Sequence, residues 1–357
     1  MISKRFDGVR MNASDLENTK NIICNLIQNH AKFTIDFSVG YLCVSEKKCK
    51  IYVRLAAINQ IKVGQMKTIS KLAFAGSAIA IAAVSIGAMS PASTETLEVL
   101  ASKTHYHGIA FARSGTATLL LASHHGLFAL AKDGETTLVS PVQDYRGFAP
   151  NPADPLSYYA RGQPAGGGNS GFLVSTDGGA SWKQLSSGAG GPVDFHQMDV
   201  SPADPKTIYG SFGDLQVSRD GGENWSIAGN PPGGLIALAA SSVSADQIYA
   251  ATKQGLYVSS DAGASWEPLE FAGEVVSTVK VGASGSLYAF VLGRGLMKAN
   301  EGKPTEWTLL SNNFGEAIPL HVAINPTNPE HLALTTQGNG VLESINGGAS
   351  WTLFGGS

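Results

Sequence analysis

Five tryptophans occur in the 357-residue chain: Trp182, Trp225, Trp266, Trp307 and Trp351, at intervals of 43, 41, 41 and 44 residues. A period near 42 constrains the fold more than any other feature, because it is the length of a four-stranded propeller blade. The residues before each tryptophan repeat as well. Full copies run over 175–182, 218–225, 259–266 and 344–351, carrying Asp177, Asp220, Asp261 and, in the last, Asn346. Degenerate copies lie at 300–307 and 131–138. An Asp that caps backbone N–H groups, a Gly that takes positive φ and a Trp that packs on strands describe a tight hairpin turn. These aspartates therefore read as structural.

A second motif alternates with the first. Asn151-Pro152-Ala153-Asp154-Pro155, Ser201-Pro202-Ala203-Asp204-Pro205 and Asn325-Pro326-Thr327-Asn328-Pro329 each precede an apolar run. Proline is excluded from central strands, so each motif is expected to be a turn. One unit then reads as strands A to D: Leu235–Ala240, 247–252, Gly255–Ser259 and a strand beginning at the tryptophan. The expected fold is all-β, a six-bladed β-propeller of four-stranded antiparallel blades. Its units fall at 105–141, 142–190, 191–232, 233–272, 273–314 and 315–357. Each unit supplies its own four strands, so the closure of the ring is left open, with 96–100 as a candidate extra edge.

The S-x-D-x-G-x-[ST]-W pattern resembles the Asp-box, or BNR repeat, of sialidase-like and sortilin-like propellers. Residues 105–357 look most like exported bacterial BNR-repeat proteins commonly labelled glycosyl hydrolases. Such chains carry segments matched here by His105–Gly108, His124–Phe128 and Asp194–His196. The resemblance implies ligand sites on the face opposite the Asp-box turns. It also implies a choice between a glycan-cleaving enzyme and a propeller that serves protein partners. Sialidases of this kind use three arginines, a Tyr–Glu pair and an acidic proton donor. The propeller has only Arg113, Arg146, Arg161, Arg219 and Arg294, and Arg219 is inside an Asp-box.

The chain ahead of the repeats is different in kind. Residues 1–71 hold 12 of the 25 Lys and Arg and 5 of the 28 Asp and Glu, so the remainder carries a net charge of −10. An acidic propeller repels phosphate backbones, and nucleic acid is not an expected partner. All three cysteines, Cys24, Cys43 and Cys49, precede residue 50, so the propeller has neither disulfides nor thiolate metal sites. Residues 66–71 form a basic stretch, 72–88 an uncharged apolar run, and Ser90-Pro91-Ala92 a cleavage signal before Ser93. The expectation is an upstream extension or mis-assigned start over 1–65, with Met66 as the true start. A signal peptide or signal-anchor then covers 66–92, a linker 93–104 and the propeller 105–357. The protein is thus expected to be secreted or periplasmic, touching a membrane only through 72–88 if uncleaved.

On the face opposite the Asp-boxes, the starts of strand A align as His105-Tyr106-His107, Asp144-Tyr145-Arg146 and Asp194-Phe195-His196. Alternation places each outer pair on one face of its strand. The second places of blades 4 to 6 are Ile236, Ser277 and Leu320, which confines the polar set to half of the ring. The B–C loop of blade 1 adds His124 and His125, and blade 2 has an enlarged loop at 161–169. His105, His107, Asp144, Arg146, Asp194 and His196 are the candidate ligand-binding residues. His105, His107, His124, His125 and His196 are candidates for a divalent metal. An anionic or sugar ligand on Arg146 suits the same residues, and solvated channel lining is the bland alternative. The expected function is an exported binding or assembly module for a protein, glycan or small molecule. The alternative is a glycoside hydrolase using Asp144 and Asp194.

Overall fold

The computed structural model describes residues 35–45, 48–57, 94–115, 118–163 and 167–355. The signal segment at 66–92, Cys24 and residues 164–166 of the enlarged blade 2 loop lie outside them. The chain divides into two units, 1–85 and 86–357. In the first, Ile35–Ser45 and Lys48–Ala57 form an antiparallel hairpin. The second is a six-bladed β-propeller, each blade an antiparallel sheet whose four strands follow in chain order. Blade 4 shows the pattern: Leu235–Ala240, Ile248–Thr252, Gly255–Ser259 and Glu267–Glu270. Among the described residues no helix is long and apolar enough to cross a membrane.

The two repeated motifs build one face. The turn after strand C closes on itself through its serine and aspartate. Ser175 Oγ donates to Asp177 Oδ1 at 2.8 Å and accepts from the Gly179 N–H at 2.9 Å. Asp177 Oδ1 also accepts the Ser181 N–H at 2.9 Å. The set recurs at Ser218–Asp220, Ser259–Asp261 and Ser344–Asn346. The Asn224 N–H holds the Asp220 carboxyl down to about 2, and the Ser265 hydroxyl does the same to Asp261. These carboxylates are committed to their turns. The turn between strands A and B, proline-bearing in blades 2, 3 and 6, lies alongside: the N–H groups of Gly178, Gly221, Ala262 and Gly347 donate to carbonyls of Leu156, Lys206, Asp246 and Glu330. In blade 6 Pro329 lies inside strand B (Asn328–Thr336), beside the register jump at Ile324/Asn325. Proline is tolerated where a ladder is already broken.

The glycine two places after the Asp or Asn of each full turn docks one blade onto the previous one. Gly179, Gly222, Gly263 and Gly348 have φ of 94°, 95°, 92° and 95°. A Cβ at the first three would fall 2.3 Å from Leu127, 2.1 Å from Phe172 and 2.1 Å from Leu215, all on strand C of the preceding blade. Apolar burial follows the same plan, with one cluster at each of the six blade interfaces. Each of the five tryptophans packs on one of five clusters.

The sixth interface, between blades 6 and 1, closes the ring by side-chain packing: Ile109, Phe111 and Leu121 meet Ala323, Ala333 and Val341. Among the described residues no strand is exchanged between blades. The segment before blade 1 covers this seam. Thr94–Thr96 adds a fifth strand, pairing with Glu135–Leu138 at the outer edge of blade 1. Residues 97–100, expected to extend that edge, instead begin the helix Leu97–Lys103. Thr96 caps it by accepting the Val99 N–H, and buried Leu100 packs into the closing cluster. The helix follows from a capping threonine and a residue facing the seam rather than a sheet.

The glycine pair in the blade 3 turn separates local strain from docking. Gly221 has φ of +81° with nothing within 4 Å of its Cβ position, whereas that of Gly222 meets Phe172. Gly221→Ala should cost about 1–2 kcal/mol of strain. Gly222→Ala should cost about 1–3 kcal/mol more through overpacking. Chemical denaturation of the two variants checks this, and equal losses would remove the docking role.

Candidate functional site

An axial cavity of about 500 Å³ is lined by the first strands of all six blades. His107 and His196 line it at the mouth opposite the Asp-turn face, while Arg113 and Pro152 line its far end. Midway, Lys280 Nζ pairs with Asp199 Oδ1 at 2.8 Å, and Asp199 Oδ2 accepts the Ala240 N–H at 3.0 Å.

A β-bulge sets the mouth. In blade 1 the strand register shifts between Tyr106 and Gly108, leaving His107 as the extra residue. The same shift occurs at Ile236, Ser277 and Leu320. A bulge re-aims a side chain, which explains why this position turns toward the axis. In blade 2, Asp144 opens strand A and Arg146 follows two residues later on the same face. Asp194 and His196 were aligned with a strand start, but both lie in the connection ahead of Gln197–Val200. His105 likewise precedes its strand, Tyr106–Phe111.

These elements bring one charged network together. Arg161, within strand B of blade 2 (Tyr158–Gln163), is register partner to Arg146 and fully buried. Its Nε pairs with Asp194 Oδ1, and its Nη2 lies 3.6 Å from Asp144 Oδ2. Arg146 Nε sits 2.9 Å from the same Oδ2. Two guanidiniums side by side on neighbouring strands repel, and the two carboxylates offset that repulsion. Arg146 Nη1 donates to His196 Nε2 at 2.7 Å, and His196 Nδ1 donates to the Asp194 carbonyl at 3.1 Å. Both nitrogens of His196 are therefore engaged.

The other oxygen of Asp144 faces the histidines. Asp144 Oδ1 lies 3.2 Å from His124 Nδ1 and 3.8 Å from His107 Nε2. It is buried and accepts no aligned hydrogen bond. His107 Nε2 is 3.3 Å from His124 Nδ1. Burial, with His124 and Arg146 beside it, pushes the His107 imidazole down to about 3. Partial burial lowers His124 too, against the pull of Asp144. His107 is thus neutral near pH 7.

Not every histidine joins. His105 is exposed and donates through Nδ1 to Asn339 Oδ1 at 3.2 Å, while Asn339 Nδ2 reaches the Ala101 carbonyl. It ties the ring seam, with its ring 6.1 Å from that of His124. His125 is exposed, and its backbone N–H donates to Ser123 Oγ. The polar set also extends beyond blades 1 to 3. His321, one place past Leu320, faces the cavity from blade 6, and burial lowers it to about 4. Arg161 and His321 were not among the candidates. A lone charge in the apolar strand Tyr158–Gln163 was the available signal for Arg161. No local signal marks His321, because the bulge sets its direction.

Of the five propeller arginines, Arg146 and Arg161 form the mouth. Arg113 donates to the Asn151 and Asp154 carbonyls, Arg219 pairs with Asp246, and Arg294 pairs with Glu274. Three arginines do not converge here.

No protein-family model matches the chain, and no curated protein matches it. Among solved structures, a GH74 xyloglucanase from Xanthomonas campestris is 19% identical with a TM-score of 0.47, over 74% of this chain and 47% of that one. The chain thus spans about half the length of that enzyme. YCF48 bound to D1 peptide is 18% identical with a TM-score of 0.45, over 74% and 85% of the two chains. An outer-coat vertex chain of COPII is 8% identical with a TM-score of 0.48, over 68% and 70%. At these identities and TM-scores the likeness assigns no activity.

Asp194→Asn should cost about 3–5 kcal/mol, since it leaves the buried Arg161 guanidinium short of a carboxylate. The double variant Arg161→Met/Asp194→Asn should lose less than the sum of the single losses, by at least about 1 kcal/mol. A double-mutant cycle in denaturant checks this. Additive losses would show that the pair is not coupled.

Proposed function

We propose that this propeller is a non-catalytic binding or assembly module that takes its ligand at the axial mouth of blades 1 to 3. One observation carries the reading. Asp144 and Asp194, the carboxylates nearest the mouth, are both engaged by the buried Arg161, and Arg146 holds Asp144 again. Glycoside hydrolysis needs one carboxylic acid to deliver a proton and another carboxylate free to act as base or nucleophile. Pairing with a fixed guanidinium favours the ionised carboxylate, so neither residue suits the proton-donor role, and the two instead shape a polar rim. Above them stand half-exposed imidazoles, His124 and His196, on a ring that needs no movement to present them.

The Asp-box resemblance supports a place among exported BNR-repeat propellers. The basic and apolar segment at 66–92 supports secretion or delivery to the periplasm. The ligand of such a mouth is a protein segment, a glycan or a small polar molecule. The acidic propeller disfavours nucleic acid.

A displayed random-peptide library panned against the full chain in the presence of EDTA, alongside a glycan-binding and glycan-hydrolysis panel, tests the reading. Ligands are expected whose affinity falls at least tenfold in Arg146→Ala and in His196→Ala. Hydrolysis is expected in neither form. Turnover of a glycan that is lost in Asp144→Asn or Asp194→Asn would replace the module by an enzyme. Ligands indifferent to both mouth variants would move the site elsewhere.

A further inference from the structure

The network at the mouth divides Asp144 between two tasks. Oδ2 faces Arg146 and Arg161, while Oδ1 points away from both toward His124 Nδ1 and His107 Nε2. We propose that His107, His124 and Asp144 bind a first-row divalent metal ion of the zinc class. This deepens the reading of the mouth as a binding site and rests on it.

The geometry carries the assignment. The three donor atoms are 3.2 Å, 3.3 Å and 3.8 Å apart. Bonds of about 2.0–2.1 Å in a tetrahedron place ligand atoms about 3.3–3.4 Å from one another. The separations thus bracket what one small ion requires. A larger, oxygen-preferring ion such as Ca²⁺ takes six to eight oxygen ligands at longer range, which two imidazoles and one carboxylate do not provide. Imidazole with carboxylate suits zinc, nickel or copper.

A second observation is independent of those distances. Asp144 Oδ1 is buried and has no aligned hydrogen-bond donor. His124 Nδ1 stands 3.2 Å away without an aligned bond, and a cation coordinated between the two satisfies a buried carboxylate oxygen. The arginines on Oδ2 then act as metal-site supports do elsewhere, fixing the orientation of a ligating carboxylate through its other oxygen. The side chains of His107 and His124 are 22% and 34% exposed, so solvent supplies a fourth ligand. His196 is excluded because Arg146 already occupies its Nε2. His105 and His125 stand outside the set.

The probe is Zn²⁺ alone, titrated calorimetrically into the full chain after stripping with chelator. One ion per chain is expected, and Co²⁺ in its place is expected to give the intense visible absorption of a tetrahedral site. His107→Ala and His124→Ala should each weaken Zn²⁺ binding at least tenfold, and His105→Ala/His125→Ala should leave it unchanged. Circular dichroism of each variant verifies folding. If His107→Ala fails to fold, His124→Ala, at the half-exposed rim, decides through the Co²⁺ band. Undiminished binding in His124→Ala, loss of binding in His105→Ala/His125→Ala, or no binding to the parent chain would each overturn the site. Because peptide panning is done in EDTA, mouth-dependent peptides without Zn²⁺ binding would sink the metal and leave the module. Zn²⁺ binding of the expected pattern without any mouth-dependent ligand would sink the module alone.

Discussion

The propeller depends on one close approach: a glycine with φ near +95° at the C–D turn pressed against strand C of the preceding blade. A side chain there would both strain the backbone and collide with Leu127, Phe172 or Leu215. Without it, the turn's backbone lies against the neighbouring sheet and the tryptophan closes over the seam. Serine and aspartate then serve the glycine by satisfying the turn's own N–H groups. The sheets are thereby held at a repeated angle, and six such steps bring blade 6 back to blade 1. There the Leu97–Lys103 helix and the edge strand Thr94–Thr96 cover the join.

This division of labour leaves the opposite mouth free for other chemistry. The aspartates of the repeated turns are committed to hydrogen bonds within those turns. At the other end the bulge at His107 releases a side chain toward the axis, and the short B–C turn of blade 1 brings His124 beside it. Blade 2 adds two like charges on adjacent strands, an arrangement stable only with carboxylates on either side. Asp194, carried by the connection into blade 3, completes that balance. Both arginines meet Oδ2 of Asp144, and its Oδ1 faces the histidines.

Much of this was legible in the chain. The tryptophan period yields six blades, the proline and aspartate turns fall on one face, and the strand limits of blade 4 differ from expectation by a single residue at B and D. In the folded ring His107, Asp144, Arg146, Asp194 and His196 come together. Other features were not legible. His105 and His125 share the local pattern of His107 and His124, yet one ties the seam and the other faces solvent. Arg161 falls in an enlarged loop by composition but lies within the buried strand Tyr158–Gln163, and His321 is hidden by its apolar neighbour Leu320.

The repeat, the number of blades, the turn chemistry and the face those turns occupy are all written in the chain. All of these follow from hydrogen bonds and φ angles within a few residues of one another, so a local pattern records them. The tertiary structure alone decided which donors meet, where the ring closes and which arginine is buried. Those outcomes depend on bulges and on the curvature accumulated over successive blades, which bring residues such as His107, His321 and Arg161 together across a ring that no short stretch of chain describes.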